Sequence, residues 1–112
     1  MKLREIAENL SLGVKAGTQG LDAEVTGGYA ADLLSCAMAG ARKGQVWITL
    51  QGHLNVVAIA SLTELAGIIV TEGKPVAVDT IAKADEEGIP ILTTSMTTFE
   101  VAGRLWAMGV RT

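Results

Sequence analysis

Apolar residues recur along this chain at two alternating spacings, which predicts helices and strands in turn. The first ten residues have an amphipathic helical pattern, with apolar side chains at Leu3, Ile6, Ala7 and Leu10. The next ten residues contain three glycines and predict a loop, with a short edge strand around Val14.

The middle of the chain predicts two strands with a helix between them. Residues 21–26 have a weak strand pattern, and the following Gly-Gly pair leads into a helix from Tyr29 to about Arg42. The run QVWITL at residues 45–50 is β-branched and aromatic, which predicts a buried strand. Residues 54–65 fit a strand or a helix by hydrophobicity, but their length favours a crossover helix that is covered on nearly every side.

The last third continues the alternation. Residues 66–71 and 89–94 predict strands, and Val78–Glu87 between them predicts an amphipathic helix. Thr97 and Glu100 have the T-x-x-E spacing of a capping box, which predicts that a final helix begins there. Phe99, Ala102 and Trp106 recur along that helix at i, i+3 and i+7.

Strands and helices that alternate at this length predict a mainly parallel sheet, because parallel strands are joined through crossover helices. The fold class expected is α/β, a three-layer α/β/α sandwich with a central sheet of four to five strands. No linker or low-complexity segment is visible in the 112 residues, so a single domain over residues 1–112 is expected.

Composition narrows the possible partners. Apolar residues make up 49% of the chain, more than a small globule hides easily, which predicts that a second copy covers part of them in a homodimer. The net charge is −3, and no run of Lys or Arg is present, so nucleic acid is not an expected partner.

Segments that would target the chain to a membrane are not expected. The most apolar stretch, residues 54–70, is interrupted by polar residues and falls short of the roughly 20 apolar residues of a membrane span. The amphipathic N-terminus does not have the pattern of a signal peptide, so a cytoplasmic location is expected. Cys36 is the only cysteine and is expected to be a buried apolar side chain on a helix.

Four predicted strands each run into a polar or glycine-rich loop that precedes a helix. In a parallel sheet these loops share one edge, which is where such folds bind ligands. The candidate ligand-binding residues are Thr26, Gly27, Gly28, Gly52, His53, Asn55, Thr71, Gly73, Thr94 and Thr97. No cofactor and no metal site is expected, because the sole histidine has no second cysteine or histidine to complete a ligand set.

His53 leaves three alternatives open: contact with a ligand, a structural hydrogen bond that pins its loop, and catalysis. Lys74 is the only cation in the four loops, and the neighbouring Glu72 partly cancels its charge. The hydroxyls of residues 93–98 divide between local backbone bonding and ligand contact. The common local motifs for nucleotide hydrolysis, acyl transfer, zinc proteolysis and dinucleotide binding are absent, so an enzyme is not expected.

From Ala66 onward the sequence resembles the DRTGG domain family. The shared features are a strand that ends in a Thr-Gly-Gly-like turn at residues 71–73, a Gly-Ile-Pro strand start at 88–90 and a Thr-Phe pair at 98–99. The preceding segment GQVWITLQGHLNVVAIA aligns with that family's strand, Gly-Asp-Arg loop and apolar helix. The resemblance covers roughly residues 22–106.

Such domains are similar to the N-terminal domain of HPr kinase/phosphorylase, and they also occur joined to CBS pairs or to phosphotransacetylase catalytic domains. The resemblance implies a regulatory role in sensing a nucleotide or a metabolite. Kinase chemistry in those relatives resides in a separate P-loop domain, and this sequence has no P-loop. His53-Leu54 stands where the family has Asp-Arg, and Glu72 stands where it has the first Gly of Thr-Gly-Gly, so an uncharged or partner-derived ligand is favoured over a phosphate.

Two functions follow from these observations. The first is a non-catalytic regulatory domain that binds a small molecule, either a nucleotide or a metabolite, at the carboxyl edge of its sheet. The alternative is an accessory subunit that docks on a larger metabolic or redox enzyme through its apolar surface and has no ligand of its own.

Overall fold

A computed structural model describes all 112 residues. Five strands and five helices follow one another in the order α1 Leu3–Asn9, β1 Gly13–Ala16, β2 Gly27–Ala30, α2 Leu34–Gly40, β3 Gln45–Thr49, α3 Asn55–Leu62, β4 Gly67–Val70, α4 Val78–Glu87, β5 Ile91–Thr93 and α5 Thr98–Ala107. A single 3₁₀ turn at Thr18–Gly20 lies between β1 and β2. α4 ends at Gly88, which takes the left-handed conformation (φ 68°) that closes helices.

The strands form one sheet in the order β1-β5-β4-β3-β2. β2, β3, β4 and β5 are parallel, and β1 pairs with β5 in the antiparallel direction at one margin. The prediction of a three-layer α/β sandwich with a mainly parallel sheet is confirmed. The short strand predicted around Val14 is β1.

Two apolar layers cover the two faces of the sheet, because strand residues alternate between them. On one face α1 and α5 pack through Leu3, Ile6, Val101 and Leu105 onto strand residues that include Ile48. On the other face α2, α3 and α4 pack onto strand residues that lie in one cluster of buried side chains: Trp47, Ile68, Val70 and Ile91, with Ala37, Val56, Val57 and Ala84 from the helices. β3 and β4 are buried along their whole length, as strands covered on both faces must be.

An ion pair secures α1 to the segment before β2. The Arg4 Nε donates to Asp22 Oδ1 at 2.9 Å. This hydrogen bond and the attraction of the guanidinium lower the pKa of the Asp22 carboxyl, and the same contacts raise the pKa of Arg4. Both side chains are exposed, so solvent screens the pair.

The strand predicted at residues 21–26 is wrong, since β2 occupies Gly27–Ala30 and α2 begins only at Leu34. A Cβ at Gly27 would overlap the carbonyl oxygen of Arg111, near the end of the chain. A glycine is required at position 27 because another backbone approaches the strand closely there. From sequence alone, the adjacent glycines Gly27 and Gly28 instead predict the turn before a helix.

The apolar residues predicted to share the face of the last helix lie largely outside the core. Val101 and Leu105 form the buried face of α5, while Phe99 is 89% exposed and Trp106 is 52% exposed. These aliphatic side chains at i and i+4 face the sheet, and the aromatic side chains lie on the side turned to solvent.

Three other local predictions differ from the structure. Cys36 is exposed, because Ala37 is the residue that α2 buries. Four of the eight residues of α3 are exposed, Leu62 among them, so the prediction that this helix is covered on nearly every side is wrong. Only half of the capping box forms: the Thr97 hydroxyl accepts from the Glu100 N–H, but the Glu100 carboxylate pairs with Arg104.

No helix combines the length and the apolar character that crossing a membrane requires.

Candidate functional site

The four parallel strands end side by side. Thr49, Val70 and Thr93 are register partners across β3, β4 and β5, and Ala30 at the end of β2 pairs with Ile48 of β3. The loops that follow the four strands, at residues 31–33, 50–54, 71–77 and 94–97, together form what we call the carboxyl edge. Ligands of open parallel sheets bind at this edge.

A cleft of about 480 Å³ opens at one end of the carboxyl edge. It lies between β1, the loop after β4, α4 and the loop after β5. We call it the Lys15–Lys74 cleft, and its lining residues are Lys15, Gly73, Lys74, Pro75, Val76, Ile81, Thr93, Thr94 and Ser95. Its volume lies within the range of small-molecule sites, roughly 300–1,000 Å³.

Lys15 reaches the cleft through an irregularity in the sheet. β1 is antiparallel, so its first residue Gly13 pairs with Thr93 at the carboxyl edge. Val14 pairs with Leu92 and Ala16 with Ile91, which leaves Lys15 as an extra residue in a β-bulge. Bulges re-aim side chains next to functional sites, and here the re-aimed side chain is a lysine.

The loop after β4 is held against the loop after β5 by backbone hydrogen bonds. The Glu72 N–H donates to the Met96 carbonyl at 2.8 Å, and the Gly73 N–H donates to the Thr94 carbonyl at 2.9 Å. Glu72 and Gly73 both have left-handed backbones, with φ of 60° and 66°. This conformation is strained for Glu72, so the contacts around the loop must compensate for the strain.

The Glu72 carboxylate turns away from the cleft. Its Oε2 accepts from the Thr98 N–H at 3.2 Å, at the first residue of α5. A carboxylate is stabilised there by the unpaired N–H groups and the positive end of the helix dipole. Glu72 therefore neutralises the start of α5, and it is absent from the lining of the cleft.

Gly73 and Thr94 are the two sequence-predicted site residues that line the cleft. The Thr94 hydroxyl also accepts from the Met96 N–H at 3.1 Å. Thr97 caps α5 at its N-terminus. Thr71 is fully buried, and its hydroxyl lies 2.7 Å from that of Thr98, so it joins the end of β4 to α5.

The loop after β3, residues 50–54, contains two of the predicted site residues, Gly52 and His53, and a third, Asn55, directly follows it. Gly52 is buried, and its carbonyl accepts from the Ala77 N–H and the Thr80 hydroxyl. His53 and Asn55 are exposed, and neither side chain makes a hydrogen bond within the chain. His53 is therefore not a structural pin of its loop, and it does not line the cleft.

Thr26, Gly27 and Gly28 do not lie at the carboxyl edge. Gly27 pairs with Gln45, the first residue of β3, so this segment is at the amino ends of the strands. The Thr26 hydroxyl donates to the Lys43 carbonyl and fixes the turn before β3. The expectation that these residues join the other loops is wrong, because their strand begins where the sequence predicts it to end.

Sequence reasoning missed two residues at the carboxyl edge. Asp32 follows β2, and its carboxylate accepts from the Leu50 N–H at 2.9 Å, which ties two neighbouring loops together. The sequence placed Asp32 inside a helix, so its signal was hidden by the misplaced strand. Lys15 has no signal in the sequence, because only the antiparallel pairing of β1 brings it to this edge.

No group of three or more His, Cys, Asp and Glu side chains is arranged to hold a metal ion. The hydroxyls at the ends of the strands bond within the chain: that of Thr71 lies 2.7 Å from the Thr98 hydroxyl, and that of Thr94 accepts from the Met96 N–H. The Thr49 hydroxyl makes a long contact of 3.5 Å with the Asp32 carboxylate, but Thr49 is fully buried, so this pair is not placed to attack a substrate.

The sequence profile of the DRTGG domain matches residues 6–108. A search of curated protein sequences finds no match to the chain. Among solved structures, the chain is similar to the CBS and DRTGG domains of the regulatory region of Clostridium perfringens pyrophosphatase, complexed with its activator, diadenosine tetraphosphate.

That structural likeness has a TM-score of 0.69 at 18% sequence identity. It covers 98% of this chain and 47% of the other chain, so the chain spans about half the length of this neighbour. At this identity the likeness establishes a shared fold.

Proposed function

Because the chain belongs to the DRTGG domain family, we propose that it is a non-catalytic regulatory domain that binds a small molecule at the carboxyl edge of its sheet. The observation that carries the proposal is the Lys15–Lys74 cleft, which lies where open parallel sheets bind ligands and has the size of a small-molecule site. The structural neighbour is a regulatory region whose activator is a nucleotide, which supports a nucleotide or metabolite as the ligand class.

The absence of a P-loop supports a non-catalytic role, and so does the full burial of Thr49, the hydroxyl that contacts the Asp32 carboxylate. A ligand-binding regulatory domain needs only a conformational or energetic response to its ligand. The two loops joined by the Glu72 and Gly73 hydrogen bonds form the wall of the cleft, so a bound ligand would act directly on the ends of β4 and β5.

Thermal unfolding with a panel of nucleotides and central metabolites tests this function. A ligand that binds only the folded chain, at 100 times its dissociation constant, adds about 2.7 kcal/mol to the free energy of unfolding. We expect at least one compound to raise Tm by several degrees in a saturable manner. A panel that leaves Tm unchanged throughout would contradict the proposal.

A second function is favoured by a separate observation. Leu33, Val78 and Phe99 are 64%, 85% and 89% exposed, and each lies where a helix begins at the carboxyl edge. Exposed apolar side chains along one edge are typical of protein-binding surfaces. An accessory subunit that docks on a larger enzyme would use them, and it would show no ligand response of its own.

A further inference from the structure

We propose that the Lys15–Lys74 cleft binds a phosphate-bearing metabolite, with Lys15 and Lys74 as the residues that hold its anionic group. This inference rests on the proposed function and names the ligand class of the same site. It assigns a binding role to Lys15, which lies outside the loops that the sequence pattern marks.

Two features of the sequence argue against a phosphate: one cation among the four loops, and an acidic neighbour beside it. The structure removes both. Lys15 adds a second cation from β1, and Glu72 directs its carboxylate to the Thr98 N–H at the start of α5. No Asp or Glu lines the cleft.

Both lysines are free to bind an anion. Neither forms an ion pair within the chain, whereas Arg4, Lys43, Lys83 and Arg104 are each paired with a carboxylate. In a protein of net charge −3, two unpaired ammonium groups lining one cleft create a local positive site against the overall charge.

The rest of the lining suits a phosphate joined to an organic body. Thr93, Thr94 and Ser95 supply hydroxyls, which donate hydrogen bonds to phosphate oxygens. Pro75, Val76 and Ile81 form an apolar wall, which offers contact to a base or another carbon skeleton. The cleft is therefore polar and cationic on one side and apolar on another, as a nucleotide or sugar phosphate requires.

A second cleft contains Arg42 and Lys43 and lies at the amino ends of the strands. Lys43 is paired there with Glu64 at 3.7 Å, which leaves Arg42 as the one unpaired cation of that cleft. This second cleft is the competing location, so the experiment must distinguish the two.

The test uses the full chain labelled with ¹⁵N and titrated with inorganic pyrophosphate, ADP and adenosine. We expect pyrophosphate and ADP to shift the amide signals of Gly73, Lys74 and Ser95, and adenosine to bind at least tenfold more weakly than ADP. Lys15→Gln and Lys74→Gln should each weaken ADP binding about tenfold, the effect of losing one hydrogen bond to a charged group.

Two matched variants serve as controls. Lys83→Gln removes a lysine from the outer side of α4, and Arg42→Gln removes the unpaired cation of the second cleft; both should bind ADP as the wild type does. Lys15 and Lys74 are exposed, so all four variants should fold, which their amide spectra will show directly.

If the Lys15→Gln and Lys74→Gln variants bind ADP as tightly as the wild type, the inference is overturned. It is also overturned if Arg42→Gln alone weakens binding. If adenosine or another uncharged compound stabilises the chain as well as ADP does, the proposed function stands and the phosphate assignment fails. If no compound of the wider panel binds, the proposed function itself fails.

Discussion

Gly52 determines how closely the loop after β3 approaches the loop after β4. A Cβ at this position would overlap the carbonyl oxygen of Pro75, and the Gly52 carbonyl already accepts from Ala77 and Thr80. A side chain there must push the two loops apart, because the atom it meets is backbone and cannot rotate away. Gly103, in the middle of α5, has nothing within 4 Å of the same position.

We expect Gly52→Ala to lower the free energy of unfolding by about 2 kcal/mol or more, measured by urea denaturation. Gly103→Ala should raise it by about 0.5–1 kcal/mol, because alanine loses less backbone entropy in a helix. Similar small effects from both substitutions would show that the loop after β3 is not held against Pro75.

For single residues, the sequence predicted the kinds of side chain at the carboxyl edge better than it predicted which residues line the cleft. Hydroxyl and glycine residues after the strands indicated a polar edge, and Gly73 and Thr94 line the cleft there. His53, the sole histidine, was predicted at the site from its place after a strand, but its side chain is exposed and lies outside the cleft. Lys15 could not be found, since its role depends on a bulge between strands that are 75 or more residues apart in sequence.

α5 begins with the N-cap residue that the sequence predicted, Thr97, which is also the last residue of the carboxyl-edge loop 94–97. The Thr97 hydroxyl accepts from the Glu100 N–H at 3.1 Å. The Glu72 carboxylate satisfies the Thr98 N–H from another loop. The start of α5 is therefore stabilised by two side chains, of which only Thr97 is local in sequence.

Thr97→Ala should lower the free energy of unfolding by about 1 kcal/mol, because it leaves the Glu100 N–H without its acceptor. Thr97→Ser keeps the hydroxyl and should stay within about 0.5 kcal/mol of wild type. As a control, Asn55→Ala at the start of α3 should have little effect, since the Asn55 side chain makes no hydrogen bond. If Thr97→Ala leaves the free energy of unfolding unchanged, the Thr97 cap does not stabilise the start of α5, and Glu72 is the only side chain that does.

At the element scale, segments with a clear period or a continuous apolar run were predicted well, and β2, which has neither, was misplaced. α1, β3, α4 and β5 lie close to where the pattern predicted them, because each has a clear period or a continuous buried run. β2 was misplaced because it consists of Gly-Gly-Tyr-Ala, which has weak strand propensity and is held by pairing with Gln45–Ile48. Tertiary pairing decided that segment, and pairing is not visible in local sequence.

At the scale of the whole molecule, several large apolar side chains remain exposed to solvent instead of packing in the core. The outer side of α5 exposes Phe99 and Trp106, and an apolar groove lined by Tyr29, Ile48, Ala102 and Leu105 continues from Trp106 beside β2. Arg111 lies 5.0 Å from the Trp106 ring and covers only part of it. Periodicity identified Phe99 and Trp106 as one face, but it could not tell whether that face packs on the sheet or outside it.

We expect this face of α5 to join two copies of the chain, because burying two large aromatic side chains from each copy removes much apolar area from water. Light scattering at micromolar concentration should then give twice the monomer mass of 11.6 kDa. The double variant Phe99→Ser, Trp106→Ser should give the monomer mass, while Leu62→Ser, an exposed apolar residue on α3, should remain dimeric. Trp47 is fully buried in the core, so any concentration-dependent change in tryptophan emission reports on Trp106. A wild-type chain that is monomeric at every concentration would contradict this prediction, and a dimer that survives the double variant would place the interface elsewhere.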